Sequence, residues 1–403
     1  MSDFRQTHLG QLLSFTNGRS SPPRSADLPY EVYGSNGIIG YADEYNTSEK
    51  SIIIGRVGSY CGSIYFSEKP SWVTDNAIRA TAKEGNCPRF LFYLLSILGL
   101  NNWRSGSGQP LLNQDILSHI PATAPDLATQ RVVASILCAL DNKIELNRQM
   151  NETLEAMARA VFKDWFVDFG PTRTKMEGRA PYLAPDIWSL FPDRLDGNGK
   201  PKGWGEGSLS DIASLNPESW SRANYPETVD YVDLSNTKWG TIEAITHFTR
   251  GTAPSRAQRI LLTGDTIVGT VRPGNGSYAF VSEHGLTGST GFAALRPVKK
   301  KFREVVYLAA TSKDNIDRLS HLADGGAYPA VRPELVVATA LVTAPEVVFA
   351  AFSAATRALI DRAEANKLEN RTLAATRDLL LPGLMSGEIR LREADKFAER
   401  AVP

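Results

Sequence analysis

Cysteine is scarce in this sequence: Cys61, Cys87 and Cys138 are the only three in 403 residues, and no two form a CxxC pair. An odd number of widely spaced cysteines supports neither a disulfide framework nor a zinc cluster, and suits a reducing, cytoplasmic setting. Long apolar runs are missing as well. The longest, such as Phe90–Leu95 and Val347–Phe352, fall far short of the ~20 residues of a membrane span. The N-terminus has no apolar core of signal-peptide length, so no membrane association is expected. Neither sign of charge is in excess, since 44 Lys and Arg balance 44 Asp and Glu. That excludes a histone-like polycation and an acidic solvating tail. His8, His119, His247, His284 and His321 are isolated, and no HExxH or GxxxxGK[ST] motif occurs; Gly199-Lys200 is followed by Pro201. The Gly-Ser-Gly at Gly106–Gly108 is neither a nucleophile elbow nor a dinucleotide loop. With no metal site and no catalytic constellation, the expectation is a protein that binds and positions.

What is present is a repeat. Ile52–Phe66 (IIIGRVGSYCGSIYF) aligns without gaps on Thr266–Phe280 (TIVGTVRPGNGSYAF), with six of fifteen positions identical. Gly106 and Pro110 then match Gly325 and Pro329. Ala139–Ala156 aligns on Ala358–Ala375 with eight of eighteen identities. A weaker match, His8–Phe15 on Ser208–Leu215, opens each copy. Three blocks in one order mean that a single unit is written twice. The first part of each copy alternates short β-branched runs with Asn-Gly and Pro-Gly turns, as a strand-rich globular domain does. The second part is nearly free of Gly and Pro and reads as one long helix, roughly 55–60 Å in length. The resulting division is a domain at 1–125, a helix at 126–169, a Pro/Gly-rich connector at 170–204, a domain at 205–344, a helix at 345–385 and a tail at 386–403. Helix is not expected to persist through the connector, where Trp188 and Phe191 are expected to tuck in.

The first helix carries a stripe spaced alternately by four and three: Val133, Leu137, Leu140, Ile144, Asn147, Asn151, Leu154, Ala158, Val161. The second repeats it from Phe352 to Leu380, with Asn366 and Asn370 on the asparagine positions. Asparagine in a heptad seam costs stability and fixes register. Antiparallel pairing would set Asn147 beside Asn370 and Asn151 beside Asn366. Alternatively, the asparagines are exposed and the seam lies one position off. Phe162, Trp165, Phe166 and Phe169 form one helical stripe, which suits core packing better than a partner contact. Lys299–Lys301 with Arg303 reads as a solvated loop.

These segments resemble the specificity (S) subunits of type I restriction–modification systems over essentially the whole chain. The motifs are Val32–Tyr41 (VYGSNGIIGY), the IIIGRVGSYCG block, Gln130–Asn147, FKDWFVDF (Phe162–Phe169), PKGW (Pro201–Trp204) and Leu379–Leu391. The resemblance implies an α+β protein with two globular target-recognition domains in pseudo-two-fold repeat, separated by two long helices forming an antiparallel coiled coil. Each domain would read one half of a bipartite, asymmetric site in double-stranded DNA. The coiled coil would be spacer and dock for two adenine-N6 methyltransferase (M) subunits, so residues inserted after Ala158 should lengthen the gap between half-sites. Restriction (R) subunits would complete the complex. The chain would be non-catalytic and hold no cofactor; S-adenosylmethionine and ATP/Mg would belong to partner subunits. Consistently, the chain lacks the [DN]PP[YF] motif of adenine methyltransferases, and Ser21-Pro22-Pro23-Arg24 is not one. The alternatives are a stand-alone sequence-specific DNA-binding or scaffold protein of the same fold, and an enzyme of unrecognised type, which the missing motifs disfavour.

Charge is the departure. Residues 1–125 carry ten basic and ten acidic side chains, and 205–344 fourteen of each, whereas phosphate contacts come largely from Lys and Arg. DNA contacts are therefore expected from local groups. In the first domain these are Asn17, Arg19, Ser20, Arg24, Arg56, Tyr60, Arg104, Ser107 and Gln109. In the second, Thr249, Arg250, Ser255, Arg256 and Arg259 form a comparable run, joined by Arg272, Asn275 and Tyr328.

Overall fold

The computed structural model describes residues 4–105 and 110–389. Its chain falls into two compact units, residues 1–145 with 372–403 and residues 146–371. Both are α+β, and they share a topology.

In the first unit the continuous apolar run Ser51–Gly55 is buried along its whole length. It lies inside an antiparallel sheet ordered Leu13–Asn17, Ala77–Ala82, Ser51–Gly55, Ile64–Ser67. A second sheet pairs Tyr30–Gly34 antiparallel with Gly37–Ala42 and parallel with Trp72–Val73. Arg5–His8 pairs with Pro121–Ala124. The helix Pro88–Ile97 opens with proline in its first turn, where no backbone N–H is needed, and buries Phe90, Leu91 and Leu94 against the first sheet.

The second unit repeats this. Its antiparallel sheet runs Ala213–Leu215, Phe292–Pro297, Thr266–Gly269, Tyr278–Phe280. In its second sheet Thr228–Val232 is parallel to Leu286–Ser289, and Gly205–Ser208 pairs with Ala340–Thr343. Thr246–Thr249 takes the edge place that Gly37–Ala42 has in the first unit, and one strand without a counterpart in the described first unit, Ala257–Ile260, is added at the opposite edge of that second sheet.

The aligned glycine-rich blocks are the same strand–turn–strand element. Gly62 and Gly276 both have left-handed backbones, with φ of +90° and +68°. A Cβ would lie 2.6 Å from the Asn101 backbone nitrogen in the first case and 2.5 Å from the Trp239 ring in the second, so each position needs glycine on two counts. A later loop closes on this turn through matching bridges, Val57 and Ser105 to Leu111, and Val271 and Asp324 to Ala330.

The long helices are Leu127–Phe166 and Glu346–Ser386. Asp126 caps the first, its carboxylate accepting from the Thr129 N–H at 2.8 Å; those backbone hydrogen bonds pull its pKa below the usual value. Glu346 opens the second and pairs with both Lys299 and Lys301, which hold its carboxyl at about 2. The lysine run expected as a solvated loop is thus engaged at a helix N-terminus, where negative charge is favoured. Within each unit a segment of one helix packs antiparallel against a segment of the other. In the second unit Asn147 Nδ2 donates to Asn370 Oδ1 at 2.9 Å and to Glu369 Oε2 at 2.7 Å, and Asn366 Nδ2 donates to Asn151 Oδ1 at 2.8 Å. In the first, Arg377 meets Asp141 at 2.8 Å, and the Tyr93 hydroxyl donates to the same carboxylate.

The FKDWFVDF stripe is core. Trp165, Phe166 and Phe169 are buried with Phe191, Trp204, Phe349 and Phe352, and Phe166 stacks on Phe349 with ring centroids 5.4 Å apart. The connector departs from expectation. It holds two short helices, Gly170–Met176 and Pro185–Trp188, each with proline in its first turn. A proline there starts a helix instead of breaking it. Phe191 is buried, while Trp188 stays half-exposed over the Lys175 ammonium.

Replacing Asn147, Asn151, Asn366 and Asn370 together by leucine should raise the melting temperature while permitting slipped or parallel associations. Cysteine cross-linking across the seam would check this. A single cross-linked register, equal to that of the parent, would show that the asparagines do not select it.

Candidate nucleic-acid interface

Arginines poised for an external partner should be exposed and not consumed by internal ion pairs, so the expected contacts separate by their surroundings. In the first unit Asn17, Arg19, Ser20 and Arg24 are exposed around the end of the strand Leu13–Asn17. Gly18 and Arg19 are anchored through their backbone N–H groups to the Ala77 and Val73 carbonyls, at 3.1 and 3.0 Å. Arg24 lies along the strand Gly37–Ala42, with Nη1 donating to the Ile39 carbonyl at 2.7 Å. That strand exposes Ile38, Ile39 and Tyr41, and Tyr45 nearby is also exposed. None of these four was expected from sequence, because a glycine-bounded strand ordinarily hides its apolar residues.

Arg56, Tyr60 and Arg104 come together around Cys61. The Arg56 carbonyl accepts from the Leu112 N–H at 3.0 Å and from Cys61 Sγ at 3.2 Å. Burial pushes the Cys61 thiol up, with the Arg104 charge opposing it. Tyr60 and Trp103 are exposed beside them. Arg56 is half-buried, and its Nε has no partner among the described residues. Ser107 and Gln109 lie outside the described residues.

In the second unit the expected run from Thr249 to Arg259 is not one patch. Thr249 ends and Arg250 follows one edge strand of the second sheet, whereas Ser255 and Arg256 lead into the opposite edge strand and Arg259 lies in it. Proximity in sequence failed here because the chain crosses two intervening strands between them. The groups also differ in availability. Arg250 is tied to the Arg222 carbonyl at 2.8 Å and to Glu227 at 3.7 Å. Thr249 shares its hydroxyl with Thr252 at 3.0 Å. Arg259 is half-buried with its Nη1 donating to Ser219 Oγ at 3.2 Å, and desolvation lowers its pKa. Ser255 and Arg256 are exposed, their backbone carbonyls accepting from Gln258 and from the Thr290 N–H.

Arg272, Asn275 and Tyr328, by contrast, converge. Arg272 has a left-handed backbone at the start of the turn Pro273–Asn275. Its N–H donates to the Pro329 carbonyl at 2.7 Å, and its Nη2 to the Ala327 carbonyl at 2.7 Å. The guanidinium sits 4.9 Å from the centre of the Tyr328 ring, which is 73% exposed. This is the same turn-plus-loop junction that gathers Arg56, Tyr60 and Arg104 in the first unit. Arginine and asparagine can pair with guanine and adenine edges or with phosphate, and an exposed ring offers an apolar surface.

Among the described residues no group of three His, Cys, Asp or Glu could hold a metal ion, and no helix is long and apolar enough to cross a membrane.

Residues 2–156 match the family model of the type I restriction modification DNA specificity domain. The HindI type I restriction enzyme specificity subunit of Haemophilus influenzae is 25% identical over 359 residues, spanning 75% of this chain and 77% of its own. The MjaIX specificity subunit of Methanocaldococcus jannaschii is 20% identical over 356 residues, spanning 82% of this chain and 76% of its own. The solved type I restriction–modification S subunit of M. genitalium matches with a TM-score of 0.62 at 15% identity, over 95% of this chain and 96% of its own, a likeness of fold. By family model over residues 2–156 and by relatives along most of its length, the chain resembles the DNA-specificity subunits of type I restriction–modification systems, whose fold it shares.

Proposed function

We propose that the chain reads a bipartite, asymmetric site in double-stranded DNA, one half with each domain, for a type I restriction–modification complex. The long helices dock two adenine-N6 methyltransferase subunits and act as the spacer, with restriction subunits joining in the full complex. S-adenosylmethionine and ATP with magnesium serve the partners, and this chain performs no chemical step. The domains are 1–125 and 205–344, with the helices at 126–169 and 345–385, the connector at 170–204 and the tail at 386–403. The supporting observation is the duplication of one domain topology, with exposed cationic and aromatic side chains at the same turn-plus-loop junction in both copies. Similar domains with different loops suit two different half-sites. The test is co-purification from the source cell: a complex of two methyltransferase subunits to one chain is expected, and a chain that selects DNA with no such partner would favour the stand-alone alternative.

Near-neutral domains gain little from counterion release. The purified chain alone should therefore show weak sequence-specific affinity and acquire it with the methyltransferase. Anisotropy titrations at fixed salt check this, and tight specific binding by the chain alone would contradict it. Exchange of residues 1–125 for the first domain of a relative should alter one half of the methylated sequence only; a change in both halves would end the modular reading.

The spacer role needs an insertion that spares the cores. One after Ala158 does not, because Ala158 is fully buried and Phe162 and Phe166 beyond it pack on Phe352. Facing positions across the Asn147–Asn370 pair are Glu145/Leu146 and Arg371/Thr372. Seven residues added at both keep the heptad phase and lengthen the pair by ~10 Å, near three base pairs. Methylome sequencing should find the gap between half-sites longer by about three base pairs. Full activity with an unchanged gap would place the spacing function elsewhere.

A further inference from the structure

One large aromatic side chain of the second unit stands out from its surroundings. Trp239 is 61% exposed and has a left-handed backbone at φ +47°, a conformation bulky side chains rarely adopt. The surrounding structure enforces it. The Trp239 N–H donates to the Gly276 carbonyl at 2.6 Å, and the Gly240 N–H donates to the Tyr278 carbonyl at 2.9 Å. The indole lies against Gly276, where the absent Cβ makes room for it, and edge-on to Tyr278. Gly276 directly follows the turn bearing Arg272 and Asn275. The ring therefore stands beside the one cluster in this unit where expected DNA contacts converge, with the exposed Lys238 adjacent in sequence.

The turn is also held from beneath. Lys367, on the second long helix and nearly buried, donates to the Gly240 carbonyl at 2.8 Å. The same ammonium meets Glu364 at 2.8 Å and Glu155 of the first helix at 3.1 Å. Glu364 accepts from Ser282 at 3.0 Å. A lysine is seldom buried unless paired, and here its third donor is spent on a single backbone carbonyl next to Trp239.

We propose that Trp239 is a DNA-contacting, specificity-determining residue of the second domain, and that Lys367 is the positioning residue that fixes its turn. This rests on the proposed DNA-reading function. The indole supplies apolar contact with sugars and base edges, thymine methyl groups included, while Arg272 and Asn275 supply hydrogen bonds. The backbone at φ +47° is held by the hydrogen bonds of Trp239 and Gly240 to Gly276 and Tyr278, and an exposed ring so fixed loses little freedom on binding. Among the described residues neither Arg272 nor Lys238 is engaged in an ion pair, which favours a polyanion over a protein surface as the partner of the Trp239, Arg272, Asn275, Tyr328 cluster.

The test uses the full chain with its methyltransferase partner, on the duplex that methylome sequencing defines for the wild type. Trp239→Ala should weaken binding about tenfold, relax base preference in the second half-site only, and leave the melting temperature unchanged; Trp239→Phe should retain most of the affinity. Lys367→Met combined with Glu364→Gln removes the ammonium together with its most buried carboxylate, with Glu155 keeping Arg159 at 4.0 Å. It should relax the same half-site, while Lys367→Arg should restore its preference. A general loss of stability would affect both halves equally. Unchanged affinity and methylome for Trp239→Ala would overturn the proposal. So would a defect confined to methyltransferase assembly, which would make the indole a protein contact. A wild-type complex that selects no sequence would instead strike the proposed function itself.

Discussion

Each unit closes its core with side chains from both long helices. In the first, Val133, Leu137 and Leu140 of one helix and Leu373, Leu380 and Leu384 of the other are buried with the strands of the domain. In the second, Trp165 and Phe166 of one and Phe349 and Phe352 of the other do the same. At roughly 1.5–3 kcal/mol for each large apolar side chain buried, the two or three side chains that each helix segment brings are worth about 3–9 kcal/mol, comparable with the ~5–15 kcal/mol net stability of an ordinary domain. The helices are therefore part of the domains and cannot be treated as detachable linkers.

Against that apolar background the polar seam is a matter of selection. Asn147, Asn151 and Asn366 are buried, and leucines there would bury more apolar area. What the asparagines supply is discrimination, because amides that meet in the antiparallel register would face apolar neighbours in a slipped one. The domain-to-helix ties work alike. Tyr93, Asp141 and Arg377 join three elements of the first unit, and Lys367, Glu155 and Glu364 join helix to turn in the second. The two ties differ in residue type although the topology is shared, so the duplicated fold constrains where a tie is needed more than how it is made.

Those features with a period or a repeat were legible in the sequence. The glycine-rich block could be read because Gly62 and Gly276 have no substitute at their backbone angles and contacts. The asparagines could be read because they fall on a heptad stripe twice, and the aromatic stripe at Phe162–Phe169 because helical spacing put it on one face. Features created by tertiary contact were not. Trp239 opens the two-residue turn of a short hairpin, Thr237–Lys238 with Thr241–Ile242, whose significance depends on Gly276 nearly forty positions later. The arginines from Arg250 to Arg259 looked like one run because sequence distance hides a sheet crossing. Pro171 and Pro185 looked like helix breakers because a proline's effect depends on whether it lies in the first turn or beyond it.

The balance of charge takes on a different meaning once the partners are known. Arg296 spends its guanidinium on Asp265 and Glu218, Arg303 on Glu304 and Asp361, and Lys299 and Lys301 on Glu346. Part of the positive charge of the second domain is thus consumed internally, by Arg296 within the domain and by Lys299, Lys301 and Arg303 in holding it to the second helix. Side chains such as Arg256 and Arg272, exposed on turns, are the ones left facing outward. A surface of that kind supplies a few oriented hydrogen bonds and apolar contacts in place of a broad attractive field. Nonspecific affinity falls with the number of phosphates neutralised, whereas discrimination between bases depends on a handful of placed groups. On the proposed DNA-reading function, a domain so built would trade affinity for selectivity, which is tolerable when other subunits of an assembly contribute the remaining affinity by binding the same duplex.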